Sequence, residues 1–295
     1  MNTGQNIGKM GPVVIGGVGG SGTRVFAEIA MNLGCYMGKD INKSNDNLWF
    51  TLLFKRPEWF RKHQTDGDII RGLQIFEKIM LNDPISFNDL AFLIGSTLAT
   101  AIHGNDHLGA GKGKWAFERL INILFGGKHA LSGYLRWGWK EPNSHIYIRH
   151  LNKYFKKMKF ILVIRHGLDI AFSANRAQLY NWGPMLGVSP PINGSPLLPQ
   201  AMLKYWLKAN QRALSLGKSL LKDDFIVLRY EDLCKEPEKV INEIKAFLGL
   251  NRENIPLSII AHIKSPKSIG RYKNENLGIF PEEDMETLRT FGYRI

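Results

Sequence analysis

The chain carries Gly16-Gly17-Val18-Gly19-Gly20-Ser21-Gly22-Thr23-Arg24 directly after the apolar run Pro12-Val13-Val14-Ile15. From Val25 to Leu33, apolar residues then recur at helical spacing. A short buried strand, a glycine-rich turn and a helix start make a phosphate cradle. Glycines let the backbone approach an anion closely, and the free N–H groups of the helix start point at it. Ser21, Thr23 and Arg24 add side-chain donors suited to a phosphate or a sulfate.

The nucleotide-hydrolysing version of this loop, G-x-x-x-x-G-K-[ST], needs a lysine after its last glycine and then a hydroxyl for magnesium. Counted from Gly17, the last glycine falls on Gly22, but Thr23 fills the lysine slot and Arg24 the hydroxyl slot. Such a loop holds an anion without being suited to Mg·ATP chemistry. The plainer reading, a turn that only packs a helix on a sheet, fits less well with the strand, loop and helix arriving in sequence.

Three further clusters could do chemistry. Arg165 ends the apolar run Phe160-Ile161-Leu162-Val163-Ile164 and is followed by His166-Gly167-Leu168-Asp169 and by Ser173. Ligands of open α/β sheets collect at the carboxyl ends of strands. Arg165 and Ser173, the latter on the early turns of the next helix, are thus expected to share an anion. The alternative is a guanidinium paired with a nearby carboxylate. Arg176, three residues past Ser173, reads as a surface charge on the same helix face. In Arg229-Tyr230-Glu231-Asp232-Leu233, Tyr230 could stack on a base, although helix capping by Glu231 and Asp232 and core packing are the plainer roles. Ser268-Ile269-Gly270-Arg271-Tyr272-Lys273 is a basic loop with a glycine hinge, by itself readable as a solvated charge cluster.

The elements that must position these groups alternate. Strands are expected near 12–16, 134–140, 160–164 and 225–228. Helices are expected near 22–33, 86–103, 114–125, 144–157, 168–180, 200–221 and 237–248. Residues 1–10 read as a flexible lead, Lys39–Asn47 as a polar loop and Leu48–Arg61 as an aromatic-rich stretch. The breakers between 181 and 199 predict an exposed loop on the substrate side. The pattern predicts an α/β fold in three layers, of the P-loop-containing nucleotide-binding type. A largely parallel central sheet carries helices on both faces, with a mostly helical insertion at about 48–130, in one domain spanning 1–295.

Composition sets bounds. A hydrophobic fraction of 44% and a charged fraction of 22% are ordinary for a globular protein. The formal charge of +13 suits an anionic ligand, and equally nucleic acid or an acidic membrane surface. Cys35 and Cys234 are the two cysteines; their separation argues against a disulfide framework and against metal-ligand spacing. No apolar run approaches the ~18 residues of a bilayer span. The longest candidate, Leu90–Ile102, contains Ser96, Thr97 and Thr100 and reads as a buried helix. A soluble, cytoplasmic protein is the expectation.

Taken together in this order, the pieces resemble the sulfotransferase family, whose members move a sulfuryl group from 3′-phosphoadenosine 5′-phosphosulfate (PAPS) to a hydroxyl or amine and release the bisphosphate PAP. The resemblance runs from Val13 to about Lys273. Gly19-Gly20-Ser21-Gly22-Thr23-Arg24 looks like the family's P-[KR]-S-G-T-[ST] loop and would wrap the 5′-phosphosulfate. Phe160 to Ser173 looks like its second motif, so that Arg165 and Ser173 would hold the 3′-phosphate. Tyr230 with its Glu-Asp-Leu, and later Pro237 and Phe247-Leu248-Gly249, look like the adenine-side strand and helix. Gly270-Arg271 resembles the C-terminal clamp on the 3′-phosphate.

One position departs from that pattern: Gly20 stands where the family has a cation beside the leaving group. Arg24 and Lys140 are expected to share the transition-state charge in its place, Lys140 lying in a Trp139-Lys140-Glu141-Pro142 segment that resembles the family's K-x-P. The resemblance also implies a general base a few tens of residues after the loop, where Asp40 and Asp46 are the candidates. Asp46 is preferred, with Glu141 as the alternative and His103, His107 and His145 as outsiders. No metal is required.

The acceptor is a glycan, small-molecule hydroxyl or peptide, with carbohydrate or small molecule slightly favoured, and Trp49, Trp59 and Trp182 are candidates to line its cleft. Neither a nucleic-acid partner nor a membrane span is expected. The rival readings are a P-loop kinase or NTPase, a fold of this kind that binds nucleotide without catalysis, and a nucleic-acid module built on the basic, aromatic stretch Lys55–Lys62.

Overall fold

Alternation along the strands decides the two faces of the sheet. In the computed structural model, which describes residues 7–62, 66–103, 111–250, 260–261 and 263–295, five strands form one sheet. They are β1 (Val13–Gly17), β2 (Cys35–Tyr36), β3 (Arg136–Lys140), β4 (Lys159–Ile164) and β5 (Phe225–Arg229). Their order is β2-β3-β1-β4-β5, and every pairing is parallel. Successive side chains point to opposite faces. Val14, Phe160, Leu162 and Ile164 therefore enter one core, while Val13, Ile15, Ile161 and Val163 enter the other. A strand buried on both sides reads as a continuous apolar run, which is why β4 is so legible in the sequence.

On the second of these faces lie α1 (Thr23–Asn32), α11 (Tyr230–Lys235) and α12 (Pro237–Leu248). The first face is covered by α2 (Leu48–Phe54), α4 (Gly67–Leu81), α7 (Ile148–Tyr154), α8 (Gly167–Ala171), α9 (Ala177–Trp182) and α10 (Leu198–Leu220). The short α3 (Pro57–Lys62), α5 (Phe87–His103) and α6 (Lys112–Phe125) complete the helical insertion, and α13 (Glu282–Thr290) follows the basic loop near the C-terminus. The three-layer α/β expectation holds.

The departures have local causes. Helix α4 was not anticipated, although Ile69, Leu73, Phe76 and Met80 mark its buried stripe. The helix expected over 168–180 is two helices, because the Ser173 hydroxyl accepts the Asn175 N–H at 3.1 Å and takes the backbone out of helical pairing. The helix expected over 144–157 opens as a 3₁₀ turn, Pro142–Tyr147, capped by Glu141, and only then becomes α7. The breaker-rich loop begins late: α9 runs to a fully buried Trp182, a 3₁₀ turn spans Pro184–Leu186, and the irregular stretch is 187–197. Of the expected lead, residues 1–6 lie outside the described residues, and Gly8–Met10 form a 3₁₀ turn. Both cysteines are free, Cys35 in the core with its thiol pushed up to about 12 by burial.

Candidate functional site

Strand β1 is the switch point of the sheet: its neighbours β3 and β4 lead away in opposite directions, leaving a crevice at the carboxyl ends. The glycine loop leaves β1 into that crevice, Lys140 ends β3 on one side and Arg165 follows β4 on the other. The loop closes on itself through Ser21 N–H to the Val18 carbonyl at 3.0 Å and runs into α1 at Thr23. Gly20 and Gly22 both hold left-handed backbone, φ 91° and 87°. A Cβ on Gly22 would stand 2.3 Å from the Tyr230 ring, so only glycine admits that ring beneath the loop.

Three segments far apart in sequence close around the loop. Arg165 donates to the Gly20 carbonyl at 3.4 Å and to the Ser268 hydroxyl at 3.0 Å, and its guanidinium lies 5.4 Å from the centre of the Tyr230 ring. Asp169 is 3.6 Å from Arg165 and accepts the Gly270 N–H at 2.9 Å. Arg271 donates to the Ser268 carbonyl at 3.2 Å and to the Phe172 carbonyl at 3.4 Å. Ser173 sits in the break between α8 and α9, its Oγ 4.0 Å from where a Cβ on Gly20 would be. Gly19, Gly20, Ser21, Gly22 and Thr23 are thus brought together with Arg165, Ser173, Tyr230, Gly270 and Arg271. The buried Ser21 Oγ and Arg165 Nε find no hydrogen-bond partner among the described residues. Unpaired donors of this kind at a glycine cradle fit the chemistry of an anion.

Several groups are placed differently from expectation. Arg24 points along α1 to Glu28, 3.5 Å away, with more than half of its side chain exposed. Lys140 is 2% exposed and is held by the Ser44 carbonyl at 3.0 Å and by the Asp46 carboxylate. The expected charge stabiliser and the expected base are therefore an ion pair. Asp40 pairs with Arg119 at 2.9 Å. Arg176 starts α9 and donates to Asn193 at 3.2 Å, off any face shared with Ser173. Glu231 does not cap its own helix; its carboxylate accepts the His166 N–H at 2.8 Å. Tyr230 is 9% exposed, a floor to the loop rather than an open platform. Trp49 and Trp182 are buried in the core. In the basic stretch, Arg56 is buried, donates to the Leu53 carbonyl at 2.7 and 3.0 Å and stacks on Trp59.

Sequence reasoning missed the network beneath the loop. Gln178 Oε1 accepts the Gly19 N–H at 2.9 Å and the Tyr205 hydroxyl at 3.2 Å, and Gln178 Nε2 donates to Asn143 Oδ1 at 2.8 Å. Asn143 in turn donates from its backbone and its side chain to Glu141, at 2.7 and 2.8 Å. Burial, offset in part by Lys55 and Lys140, pushes the Glu141 carboxyl up to about 7. Burial, and then the Arg212 guanidinium, hold His145 down at about 3, so it stays neutral at ordinary pH. His107 lies outside the described residues, as does the side chain of His103.

Comparisons with known proteins bear on the family and on the fold. Residues 12–254 match the profile of the Sulfotransferase family. The sulfotransferase domain from the Synechococcus PCC 7002 olefin synthase is 14% identical, with 96% of this chain and 94% of that one covered and a TM-score of 0.51. The sulfotransferase domain from the curacin biosynthetic pathway is 15% identical, with 97% and 98% covered and a TM-score of 0.51. At these identities the likeness shows the fold. No curated protein matches the chain.

Proposed function

The chain belongs to the sulfotransferase family, and from that premise we propose that it transfers a sulfuryl group from PAPS to an acceptor hydroxyl or amine. The carrying observation is that Arg165 reaches the loop at Gly20 and is tied to Ser268 and, through Asp169, to Gly270, with Ser21 Oγ and Arg165 Nε left unpaired among the described residues. In this reading the loop Gly19–Thr23 binds the 5′-phosphosulfate through backbone N–H groups and the Ser21 hydroxyl. Arg165, Ser173, Gly270 and Arg271 bind the 3′-phosphate, and Tyr230 supports the adenine side from below the loop. Bound PAPS supplies a sulfuryl group activated for in-line displacement, with PAP as the leaving group.

Charge developing at the leaving side is met by Lys140, which a short movement from Asp46 would free, and by Arg24 once it leaves Glu28. These two cations stand in for the one that Gly20 lacks. Asp46 is the proposed base: beside Lys140 it can take the acceptor proton as the lysine turns to the sulfuryl oxygens. Glu141, buried and raised to about 7, is the alternative. The acceptor is proposed to be a carbohydrate or other small hydroxyl compound.

Calorimetric titration with PAP and with ADP, each with magnesium and with EDTA, tests the reading. Tight, metal-independent binding of PAP with ADP much weaker supports it. A preference for ADP that needs magnesium would overturn it in favour of phosphoryl transfer.

A further inference from the structure

Helix α5 is built inside out. Its hydroxyl side chains Ser96, Thr97 and Thr100 are buried, Thr97 donating to the Leu93 carbonyl at 2.8 Å and Thr100 to the Leu52 carbonyl at 3.3 Å. Its outward stripe of Phe87, Ile94, Leu98 and Ile102 is apolar, with Phe87 83% exposed. Helix α6 runs back beside it, Gly113 facing Ala101, and extends the stripe through Phe117, Ile121 and Phe125, the last 79% exposed. Phe87 and Phe125 stand at the open end of the hairpin, away from its connection. Large apolar side chains exposed along one face of a helix pair gain from an apolar medium, and an exposed apolar face of this kind marks a docking surface.

Charge decides between a second copy and a lipid surface. The protein carries +13, and the exposed Lys114 and Lys128 border the patch at either end of α6. Asp89 of α5 is buried and paired with Arg71 at 2.5 Å and Lys78 at 2.8 Å, and Glu118, the only acid of α6, lies 3.6 Å from Arg119. Two copies would bring together like-charged molecules. A protein interface also carries about one hydrogen bond per 100–200 Å², whereas the large side chains of this stripe, Phe87, Ile94, Leu98, Ile102, Phe117, Ile121 and Phe125, carry no hydrogen-bonding group. An anionic bilayer satisfies both features, taking the apolar side chains at the acyl boundary and the lysines among the headgroups.

We propose that the α5–α6 hairpin docks flat on an anionic lipid surface. It lies on the membrane and does not cross it: α5 has 17 residues, and no helix among the described residues is long and apolar enough to span. Arg119 on α6 pairs with Asp40, on the same loop as Asp46, so the hairpin is held next to the base that the proposed function names.

The test is co-sedimentation of the full chain with phosphatidylcholine vesicles, with and without about a third phosphatidylserine. The wild type is expected to bind the anionic vesicles at least tenfold better, less so at high salt. The double variant Phe87→Ser, Phe125→Ser should lose about tenfold of that binding with its melting temperature and PAP affinity unchanged. Lys114→Gln with Lys128→Gln should lose the preference for anionic lipid. Equal binding to neutral and anionic vesicles, no binding, or a serine variant that binds as wild type would overturn the proposal. So would a wild-type dimer in analytical ultracentrifugation that the serine variant converts to monomer, which would assign the face to a second copy.

Discussion

At the scale of single residues, the site contains groups whose removal has separable consequences. Arg165 reaches the glycine loop, Ser268 and the Tyr230 ring at once. If it holds the 3′-phosphate, Arg165→Ala should weaken PAP about 100-fold, the ~2–3 kcal/mol of a charge-assisted bond. ADP lacks that phosphate and should lose far less, so the ratio of the two calorimetric affinities is the discriminating number. Gly22→Ala should cost ~2 kcal/mol or more in urea unfolding, because its Cβ would stand 2.3 Å from the Tyr230 ring at a left-handed φ. Glu141 sets a pH dependence of known sign. Its carboxyl is raised from 4.5 to about 7, so between those values the unfolded chain has lost the proton that the native state still holds. Its stabilising contribution is complete below pH ~4.5 and is lost as pH rises to ~7, on the order of 3 kcal/mol in all. Glu141→Gln cannot titrate, and urea unfolding of this variant at pH 5 and pH 7.5 should differ from wild type by that decline. A decline of wild-type size in the glutamine variant would place its origin elsewhere.

At the scale of elements, what was legible depended on whether the signal was local. The β1–loop–α1 unit, β4, α10 and α12 carry their own patterns of apolar spacing and breakers, and each appears within a residue or two of its expected limits. The break between α8 and α9 depends on one serine hydroxyl, a choice that apolar spacing does not record. Gln178 was invisible for a different reason: a lone glutamine on a helix has no motif, and its role exists only because α9 lies under the loop. Side chain and loop meet across 159 positions of sequence. Gln178→Ala would leave the Gly19 N–H and the Tyr205 hydroxyl without their acceptor, at ~1–3 kcal/mol for a buried orphan. PAP affinity should drop about tenfold while the mutant keeps its fold, judged by circular dichroism. Unchanged affinity would show that the loop holds its shape without support from below. The ion pair of Lys140 and Asp46 was equally unforeseeable, since each was chosen for its own chemistry and only the neighbouring ends of β3 and the Lys39–Asn47 loop bring them together.

At the scale of the whole molecule, the candidate site is the place where distant parts of the chain are tied together. Residues near 20, 165, 230 and 270 meet there. The C-terminal segment packs into the core through Leu288, Phe291 and Tyr293, and its polar ties at the site are Asp169 with Gly270, Arg165 with Ser268 and Arg271 with the Phe172 carbonyl. A ligand that satisfies Ser21 and Arg165 would bridge two of these segments, and Arg165 ties it to a third through Ser268, in the native state alone. At about 100 times its dissociation constant, such a ligand adds ~2.7 kcal/mol to stability. For a chain of this size that corresponds to a rise of roughly 5 °C in melting temperature. PAP should produce this rise in the wild type. In Asp169→Asn, which weakens the tie to Gly270 without removing a proposed ligand contact, the unliganded protein should melt lower and the PAP-induced rise should be smaller, because part of the binding energy goes into reseating the C-terminal segment. A variant that melts lower but shows the full rise would mean that the segment supports the fold without closing the site. The same comparison at raised salt separates the cradle's own contacts from the general attraction of a +13 protein for anions, since only the latter is strongly screened.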